Sequence, residues 1–306
     1  MHNMQINVVI EQVIILFLVL LVGFFARKRN IISEGMTGKL SDLLLQVTQP
    51  LLIITSFDFD LSTEMLLNAL LIIVISVFIH LFSMLLVKFL YRRYEEKVRS
   101  VLKFISIFSN SGFMGFPVLY SIFGSRGVFY GALYVIPYNV FALYYGMRIF
   151  SGKKDENAVK KVLTHPIILS VAVGMLLFLL RIQLPRPVFE AAALTGSITS
   201  PLSMLIIGAL LAEVPLRDIF KGRELYLGSA MRLVVMPLLV YGLLSLLPLP
   251  KEVMQICVII TAMPAAVNTA IMAEKYGGDA LLASRFISIT TIFSILTIPL
   301  ILILLS

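Results

Sequence analysis

The sequence is poor in charged residues and contains a single cysteine. Only 14% of its 306 residues are Asp, Glu, Lys or Arg, whereas about a quarter is usual for a soluble domain. Hydrophobic residues make up 59% of the chain, and an ordinary soluble protein of this size could not hide that much apolar surface from water. The lone Cys257 excludes a disulfide framework. The sequence therefore predicts an integral membrane protein.

Recognisable catalytic and nucleotide-binding motifs are also missing. The sequence contains neither an HExxH motif nor a P-loop, and its three histidines lie far apart in the chain. Gly277-Gly278-Asp279 is similar to part of an intramembrane aspartyl protease motif, but no partner aspartate lies inside another apolar run. We therefore expect neither an enzyme nor a bound cofactor or metal, and a membrane-embedded enzyme or sensor is the least favoured alternative.

Long apolar runs dominate what is present. A membrane-crossing helix needs about 20 apolar residues, and the runs between charge clusters predict ten transmembrane helices. Most Lys and Arg residues fall in alternate loops, those that follow the odd-numbered runs, which is the positive-inside pattern. We predict a multi-pass protein of the cell (inner) membrane with both termini outside. The net charge of +8 is explained by this topology, so no nucleic-acid partner is expected.

The chain has the layout of an inverted repeat. The most hydrophilic stretch, residues 151–163, lies at its midpoint with five predicted helices on each side. An odd number of helices in each half means that two similar halves insert with opposite orientations, as in many secondary transporters. Val47–Leu51 is similar to Ile198–Leu202 at the corresponding place of the second half. We predict repeats over residues 1–150 and 164–306, joined by a short cytoplasmic linker at 151–163.

Two predicted helices are interrupted at corresponding places. The fourth carries a Ser-Asn-Ser-Gly stretch before Pro117, and the ninth carries small and polar residues around a proline. Such paired interruptions are the best sequence indication of a transporter binding site. Half-helices that begin near the membrane midplane would direct their positive N-terminal ends at one spot, which favours an anion. The predicted substrate-binding residues here are Ser109, Asn110, Ser111, Pro264, Ala265 and Asn268.

Polar residues beside prolines in other predicted helices are further candidates for the binding site. They are Thr48 and Gln49 before Pro50, Thr199 and Ser200 before Pro201, and Tyr138 and Asn139 after Pro137. Hydroxyl groups in membrane helices often bond only their own backbone, so a plain proline kink is the alternative for each pair.

Two ionisable residues lie inside predicted membrane helices, where ionisable groups are costly and usually functional. His80 could couple transport to protons because an unperturbed imidazole titrates near neutral pH. Its alternative role is a neutral histidine bonded to a neighbouring helix. Arg232 could attract the substrate anion, or its long side chain could reach toward the cytoplasmic end of its helix.

At the interrupted helices the sequence resembles the auxin efflux carrier family. Its plant members are the PIN auxin exporters, and its bacterial members include proteins named as malate and malonate carriers. The matching stretches are Ser109–Gly124, Ala262–Gly277 and the tail from Thr291 to Pro299. One departure is Ser109, which stands where plant carriers have proline; another is the absence of their long central hydrophilic loop.

The resemblance implies a fold and a mechanism. Helices 1, 2, 6 and 7 would form a scaffold, and helices 3–5 and 8–10 a transport unit that slides against it in an elevator motion. Helices 4 and 9 would be broken and cross at the midplane, with Asn110 holding the substrate carboxylate and Pro264 at the second break. Elevator carriers of this kind are often dimers, so the resemblance is compatible with a homodimer, while the sequence itself leaves the oligomeric state open.

The sequence is therefore interpreted as a secondary carrier of small organic anions, meaning carboxylates such as malate, malonate or auxin-like acids. One alternative is a sodium- or proton-coupled symporter of larger amphipathic anions, similar to the bile-acid transporters. That alternative would need a cage of carboxylates and carbonyls near the crossing, where the sequence offers few carboxylates.

Overall fold

The protein is built from helices. The computed structural model describes residues 6–33, 35–59, 62–152, 158–215 and 220–305, and within these ranges the strand-like pairing is confined to one isolated bridge. The helices are α1 (Ile6–Lys28), α2 (Met36–Leu43), α3 (Gln49–Thr55), α4 (Thr63–Leu90), α5 (Glu96–Ile107), α6 (Phe116–Ser151), α7 (Ala158–Leu163), α8 (Pro166–Leu180), α9 (Arg186–Ser197), α10 (Thr199–Glu213), α11 (Arg223–Ala230), α12 (Met236–Ser245), α13 (Lys251–Ala262), α14 (Asn268–Tyr276) and α15 (Ala280–Leu305). One-turn π-helical segments join α2 to α3, precede α6 and join α11 to α12, at Leu44–Thr48, Ser111–Gly115 and Met231–Val235.

Six of the helical stretches in the described ranges are long and apolar enough to cross a membrane. Helix α8 is apolar but shorter. The expectation of an all-helical membrane protein is confirmed at this level, and the ten-helix inverted repeat stays a prediction. The six stretches are Ile10–Lys28, Thr63–Leu90, Ser111–Ser151, Arg186–Glu213, Arg223–Ser245 and Ala280–Leu305.

Helix α4 shows why these helices need a bilayer. One face packs Ile72 and Ile79 into the protein core, while the opposite face leaves Leu70 60% exposed and Val74 56% exposed. A helix that is hydrophobic on all sides is typical of a membrane span. The exposed leucine and valine side chains on the outer face of α4 therefore agree with its length and apolar composition in indicating a span.

Helices α1 and α10 lie in close backbone contact. At Gly208 an added Cβ would overlap the carbonyl oxygen of Leu20, and at Gly23 it would overlap the backbone of Leu205. Small residues let membrane helices approach this closely, which maximises van der Waals packing where no hydrophobic effect operates between helices. The two glycines therefore fix the position of α1 on α10.

Helix α6 changes direction at Gly124. This residue has φ of 62° and ψ of −149°, a backbone conformation that only glycine adopts without strain. The helical conformation is interrupted there, so α6 consists of two helical segments divided by a kink, which correspond to the fourth and fifth predicted helices. Beyond Ser151 the predicted linker 151–163 contains α7, and its residues 153–157 lie outside the described ranges.

Candidate functional site

Two helices are interrupted, and the two interruptions meet. Helix α5 ends before Ser109 and helix α13 ends before Pro264, and Ser109 and Ala265 form an antiparallel bridge. The amide of Asn110 donates to the carbonyl of Pro264 at 2.8 Å, and the amide of Ala266 donates to the carbonyl of Phe108 at 3.3 Å. Backbone groups freed from their helices are thus satisfied by each other, as membrane depth requires.

The local sequence accounts for where each helix stops. Met263 has an extended backbone with ψ of 152°, since the ring of the following Pro264 disfavours the helical conformation. Asn110 has φ of −77° and ψ of 61°, outside the helical region, and its side chain caps the turn that follows. Pro117, which the sequence pattern singled out, follows the π-helical turn Ser111–Gly115 within one continuous helical stretch, where it has no amide proton to donate.

Asn110 has one satisfied side-chain atom and one that is free. Its Oδ1 accepts from the amide of Phe113 at 3.2 Å. That bond identifies the other terminal atom as the NH₂ group, because only the oxygen can accept. The Nδ2 atom is buried and has no hydrogen-bond partner among the described residues. A buried amide donor without a partner is costly, so Nδ2 is a candidate for binding a ligand acceptor.

A small cavity of about 50 Å³ lies beside the crossing. We call it the crossover cavity. Two of its walls are the starts of helical segments, Ser111–Phe113 at the π-helical turn and Ala266–Asn268 at α14. Helix starts carry partial positive charge, although the amides of Ser111, Phe113 and Ala266 already have hydrogen-bond partners here. Its lining residues are Leu45, Asn110, Ser111, Gly112, Phe113, Val135, Tyr138, Asn139, His165, Ile167, Ala266, Val267 and Asn268.

Arg232 contacts the C-terminal ends of the two interrupted helices, α5 and α13. Its Nη1 donates to the carbonyls of Ile105 at 3.4 Å and Ser106 at 3.0 Å, in the last turn of α5. Its Nη2 donates to the carbonyl of Thr261, in the last turn of α13. A cation near a helix C-terminus offsets the negative end of the helix dipole. Arg232 is 1% exposed and does not line the crossover cavity, so its observed contacts are with the helix ends.

The Arg232 contacts and the two helix starts together give the site a partial positive charge. The carbonyl ends of α5 and α13 are offset by the Arg232 guanidinium. The segments that follow each break begin at the wall of the crossover cavity, and no Asp, Glu, Lys or Arg of the described residues lines it. The cavity therefore offers the unpartnered Nδ2 of Asn110 and partial positive charge, which suits a small anion.

Two hydroxyl groups hold the crossing in shape. The Tyr138 hydroxyl donates to the Ser109 carbonyl at 2.9 Å. Thr290 accepts from the amide of Ala265 at 3.1 Å through its Oγ1. Asn139 lines the cavity, but its Nδ2 donates to Val135 one turn earlier at 3.0 Å, so its amide is in part used by its own helix.

Three of the polar residues before prolines, Thr48, Gln49 and Thr199, are buried, and none of them lines the cavity. Gln49 donates through Nε2 to the carbonyl of Gly112 at 3.0 Å, a contact with the cavity wall. The hydroxyls of Thr48 and Thr199 are buried and have no partner in the described part of the chain. Ser200 is half-buried, and its carbonyl accepts from Ser203. The structure thus brings Gln49 to the site and leaves Ser200 outside the cavity wall.

His80 is enclosed by aromatic rings. The rings of Phe108, Tyr134, Tyr138 and Phe141 lie 5.7–5.9 Å from its imidazole, centroid to centroid. Its Nδ1 is 2.6 Å from the carbonyl of Ser76. His80 is 1% exposed, does not line the cavity and bonds a carbonyl of its own helix, not one of a neighbouring helix. Proton coupling through His80 stays an untested prediction.

The sequence patterns missed one polar wall residue, His165. It stands just before Pro166 at the start of α8, and it lines the crossover cavity. Its sequence signal is weak, since a histidine next to a proline at the end of an apolar run is more often a boundary residue. The candidate residues that do line the cavity are Asn110, Ser111, Tyr138, Asn139 and Asn268, with Ser109, Pro264 and Ala265 in the bridge beside it.

Comparisons with known proteins agree with a transporter. The family model described as membrane transport protein matches residues 8–164 and 156–302. An uncharacterized transporter of Methanocaldococcus jannaschii is 25% identical over 303 residues, covering 95% of this chain and 96% of that protein. The Escherichia coli uncharacterized transporter YfdV is 22% identical, covering 93% and 94%.

A further relative carries a substrate in its name. A Rhizobium meliloti protein that is provisionally named as a malonate transporter is 28% identical over 159 residues, which is 50% of this chain and 49% of that protein. The family matches together span nearly the whole chain. The protein therefore belongs to the membrane transport protein family, the family of the auxin efflux carriers that its interrupted helices resemble.

Proposed function

We propose that this chain is a secondary carrier of small organic anions, with carboxylates such as malonate, malate or auxin-like acids as substrates. The observation that carries this proposal is the crossover cavity. It combines two helix starts with the unpartnered Nδ2 of buried Asn110, and no described acidic side chain lines it. A carboxylate would supply the missing acceptor and would lie at the positive ends of two helix dipoles.

We propose that the substrate moves with the interrupted helices. Ten helices in two inverted repeats, at 1–150 and 164–306, would place helices 1, 2, 6 and 7 in a scaffold. The bridge between Ser109 and Ala265 and the shared Arg232 contacts support a transport unit in which both interrupted helices move together. Gln49, on the scaffold side, contacts Gly112 through a hydrogen bond that sliding would break.

The size of the cavity is consistent with alternating access. Small-molecule sites usually enclose about 300–1,000 Å³, whereas the crossover cavity has about 50 Å³. A dicarboxylate would enter only after the walls separate, so we assign this structure to a closed state of the cycle. The name of the Rhizobium meliloti relative makes malonate the first substrate to try.

Counterflow in proteoliposomes tests the proposal without assuming a coupling ion. Vesicles are loaded with unlabelled malonate, malate or indole-3-acetate, and trace labelled acid is added outside. We expect transient accumulation of label with at least one acid, and loss of that accumulation in Asn110→Leu, which removes both polar atoms of the side chain. No accumulation with any of the acids, with and without sodium, would reject the carrier proposal.

The control separates transport from folding. Lys160 is exposed on α7, so Lys160→Gln removes a nearby charge without touching the cavity wall. We expect full counterflow in this variant. Full counterflow in Asn110→Leu as well would place the substrate elsewhere and would reject the crossover site while leaving the carrier activity in place.

A further inference from the structure

Among the described residues that line the crossover cavity, His165 is the one whose side chain can gain or lose a proton near neutral pH. It stands directly before helix α8, and it lines the same cavity as Asn110 and Asn268. An imidazole changes charge between about pH 5 and pH 8. The other ionisable wall residue among those described, Tyr138, uses its hydroxyl to donate to Ser109.

The Nδ1 atom of His165 is buried and has no hydrogen-bond partner among the described residues. Asn110, which lines the same cavity, is 3% exposed and has the unpartnered Nδ2. Buried polar atoms are nearly always hydrogen-bonded, because an unpaired one has lost its contact with water without gaining a partner in the protein. Two such atoms on one small cavity indicate a ligand that can contact both residues.

The charge of His165 depends on what enters the cavity. Burial lowers its pKa below the ordinary value, so the imidazole is neutral in the empty protein at neutral pH. Helix α3 and the Leu44–Thr48 turn, which contact α8, carry no ionisable side chain. The other two elements that contact α8 are α6 and α7. Their charged residues are Arg148, Lys160 and Lys161, which are solvent-exposed, and Arg126 of α6, which pairs with Glu252 of α13.

We infer that His165 is a further ligand of the substrate, taking up a proton from solution as a carboxylate enters and donating an N–H hydrogen bond to it. The inference rests on the proposed function of the crossover cavity. In this step the imidazole lone pair accepts one proton from solution, and the carboxylate stays ionised. The net charge of the loaded site is therefore one unit less negative than the charge of the bound anion alone. Asn110 and His165 both bind the anion.

The pH dependence follows from the sign of the effect. A neighbouring anion raises the pKa of an imidazole, and burial has lowered the pKa of His165 in the empty state. Substrate affinity therefore rises as the pH falls through the pKa of the loaded site and levels off below the pKa of the empty site. Between the two pKa values the Kd changes by about tenfold per pH unit.

Titration calorimetry of the full chain in nanodiscs tests this inference. Malonate is titrated in two buffers of different ionisation enthalpy, between about pH 7 and pH 8, so that imidazole and not the substrate titrates. The difference in heat gives the number of protons taken up per malonate bound. Wild type is expected to take up close to one proton, by linkage with the bound anion. Lys160→Gln should match wild type, and His165→Gln, which keeps a polar group of similar size, should take up close to none.

The outcomes separate the inference from the proposed function. Proton uptake that persists in His165→Gln would overturn the inference and leave the crossover site in place. A wild-type Kd for malonate that does not change with pH would overturn it too, whether or not the variant folds. If wild type binds none of malonate, malate and indole-3-acetate, the proposed function fails and the inference with it.

Discussion

Replacing Asn110 with aspartate separates its two roles, because the exchange changes only one of the two terminal atoms. The oxygen that accepts from Phe113 is kept, and a carboxylate is as good an N-cap as the amide. The unpartnered Nδ2 becomes a second carboxylate oxygen, so a donor facing the cavity turns into a negative charge. We expect Asn110→Asp to fold normally and to lose the anion.

The size of the effect follows from the contacts. A hydrogen bond to a charged group contributes about 1.5–3 kcal/mol. Two like charges about 4 Å apart repel by about 4 kcal/mol at an effective dielectric constant near 20. Together these terms weaken binding by more than about a thousandfold, since about 1.4 kcal/mol corresponds to a factor of ten.

Asn110→Ser is the matched control for Asn110→Asp. Serine also caps helices but lacks the NH₂ group, so only the donor is lost. The expected loss is about 10- to 150-fold, the equivalent of one charge-assisted hydrogen bond. The assay is malonate binding to purified protein in nanodiscs by calorimetry, with thermal unfolding measured on the same samples.

The order of the two variants matters more than either value. Aspartate must weaken binding more than serine does, while the unfolding temperatures of both stay near that of wild type. Binding by Asn110→Asp within about threefold of wild type would refute the reasoning, because a carboxylate on the cavity wall would then have no effect on the bound anion.

Two further predictions concern the framework of the site. Arg232→Gln removes charge-assisted bonds to the ends of α5 and α13 and should lower the free energy of unfolding by on the order of 3 kcal/mol. The control, Arg126→Gln, breaks a partly exposed ion pair worth at most about 1 kcal/mol. Equal unfolding temperatures of the two variants would contradict the role of Arg232 as a cap of these helix ends. Gly208→Ala forces a methyl group onto the backbone of α1 and should lower the free energy of unfolding by about 1–3 kcal/mol. Gly242→Ala, with open space around it, should leave the free energy of unfolding unchanged. Unfolding curves of the two variants that coincide would show that α1 and α10 are free to separate.

Local patterns in the sequence predict much of this architecture. Apolar composition and helix-length runs indicate an all-helical membrane protein, because lipid leaves the backbone few alternatives. The polar and proline-containing stretches around Asn110 and Pro264 locate both interruptions, since a cap residue and a proline act within one turn of themselves. Asn110 is recognisable for the same reason: its capping role is local.

Contacts between distant segments could not be predicted in this way. Arg232 caps Ser106 and Thr261, which lie 126 and 29 residues away in sequence, and nothing near Arg232 in the sequence indicates carbonyl ends as its partners. His165 reaches the cavity only because α8 lies beside the Leu44–Thr48 turn and α6. Hydropathy treats both residues as isolated charges, so it leaves the role of the arginine open between the substrate anion and other partners, and the histidine is overlooked.

The double attachment of the two interrupted helices has a thermodynamic consequence for a carrier. Because the Ser109–Ala265 bridge and Arg232 tie α5 to α13, the ligands on these helices would be the same on both sides of the membrane if they slide as proposed. Affinity could then differ between the two sides only through stationary residues such as His165. Detailed balance requires the ratio of the two affinities to equal the ratio of the position equilibria of the loaded and the empty carrier. A difference in affinity between the two sides would thus appear as a redistribution of the protein between its two positions when substrate binds.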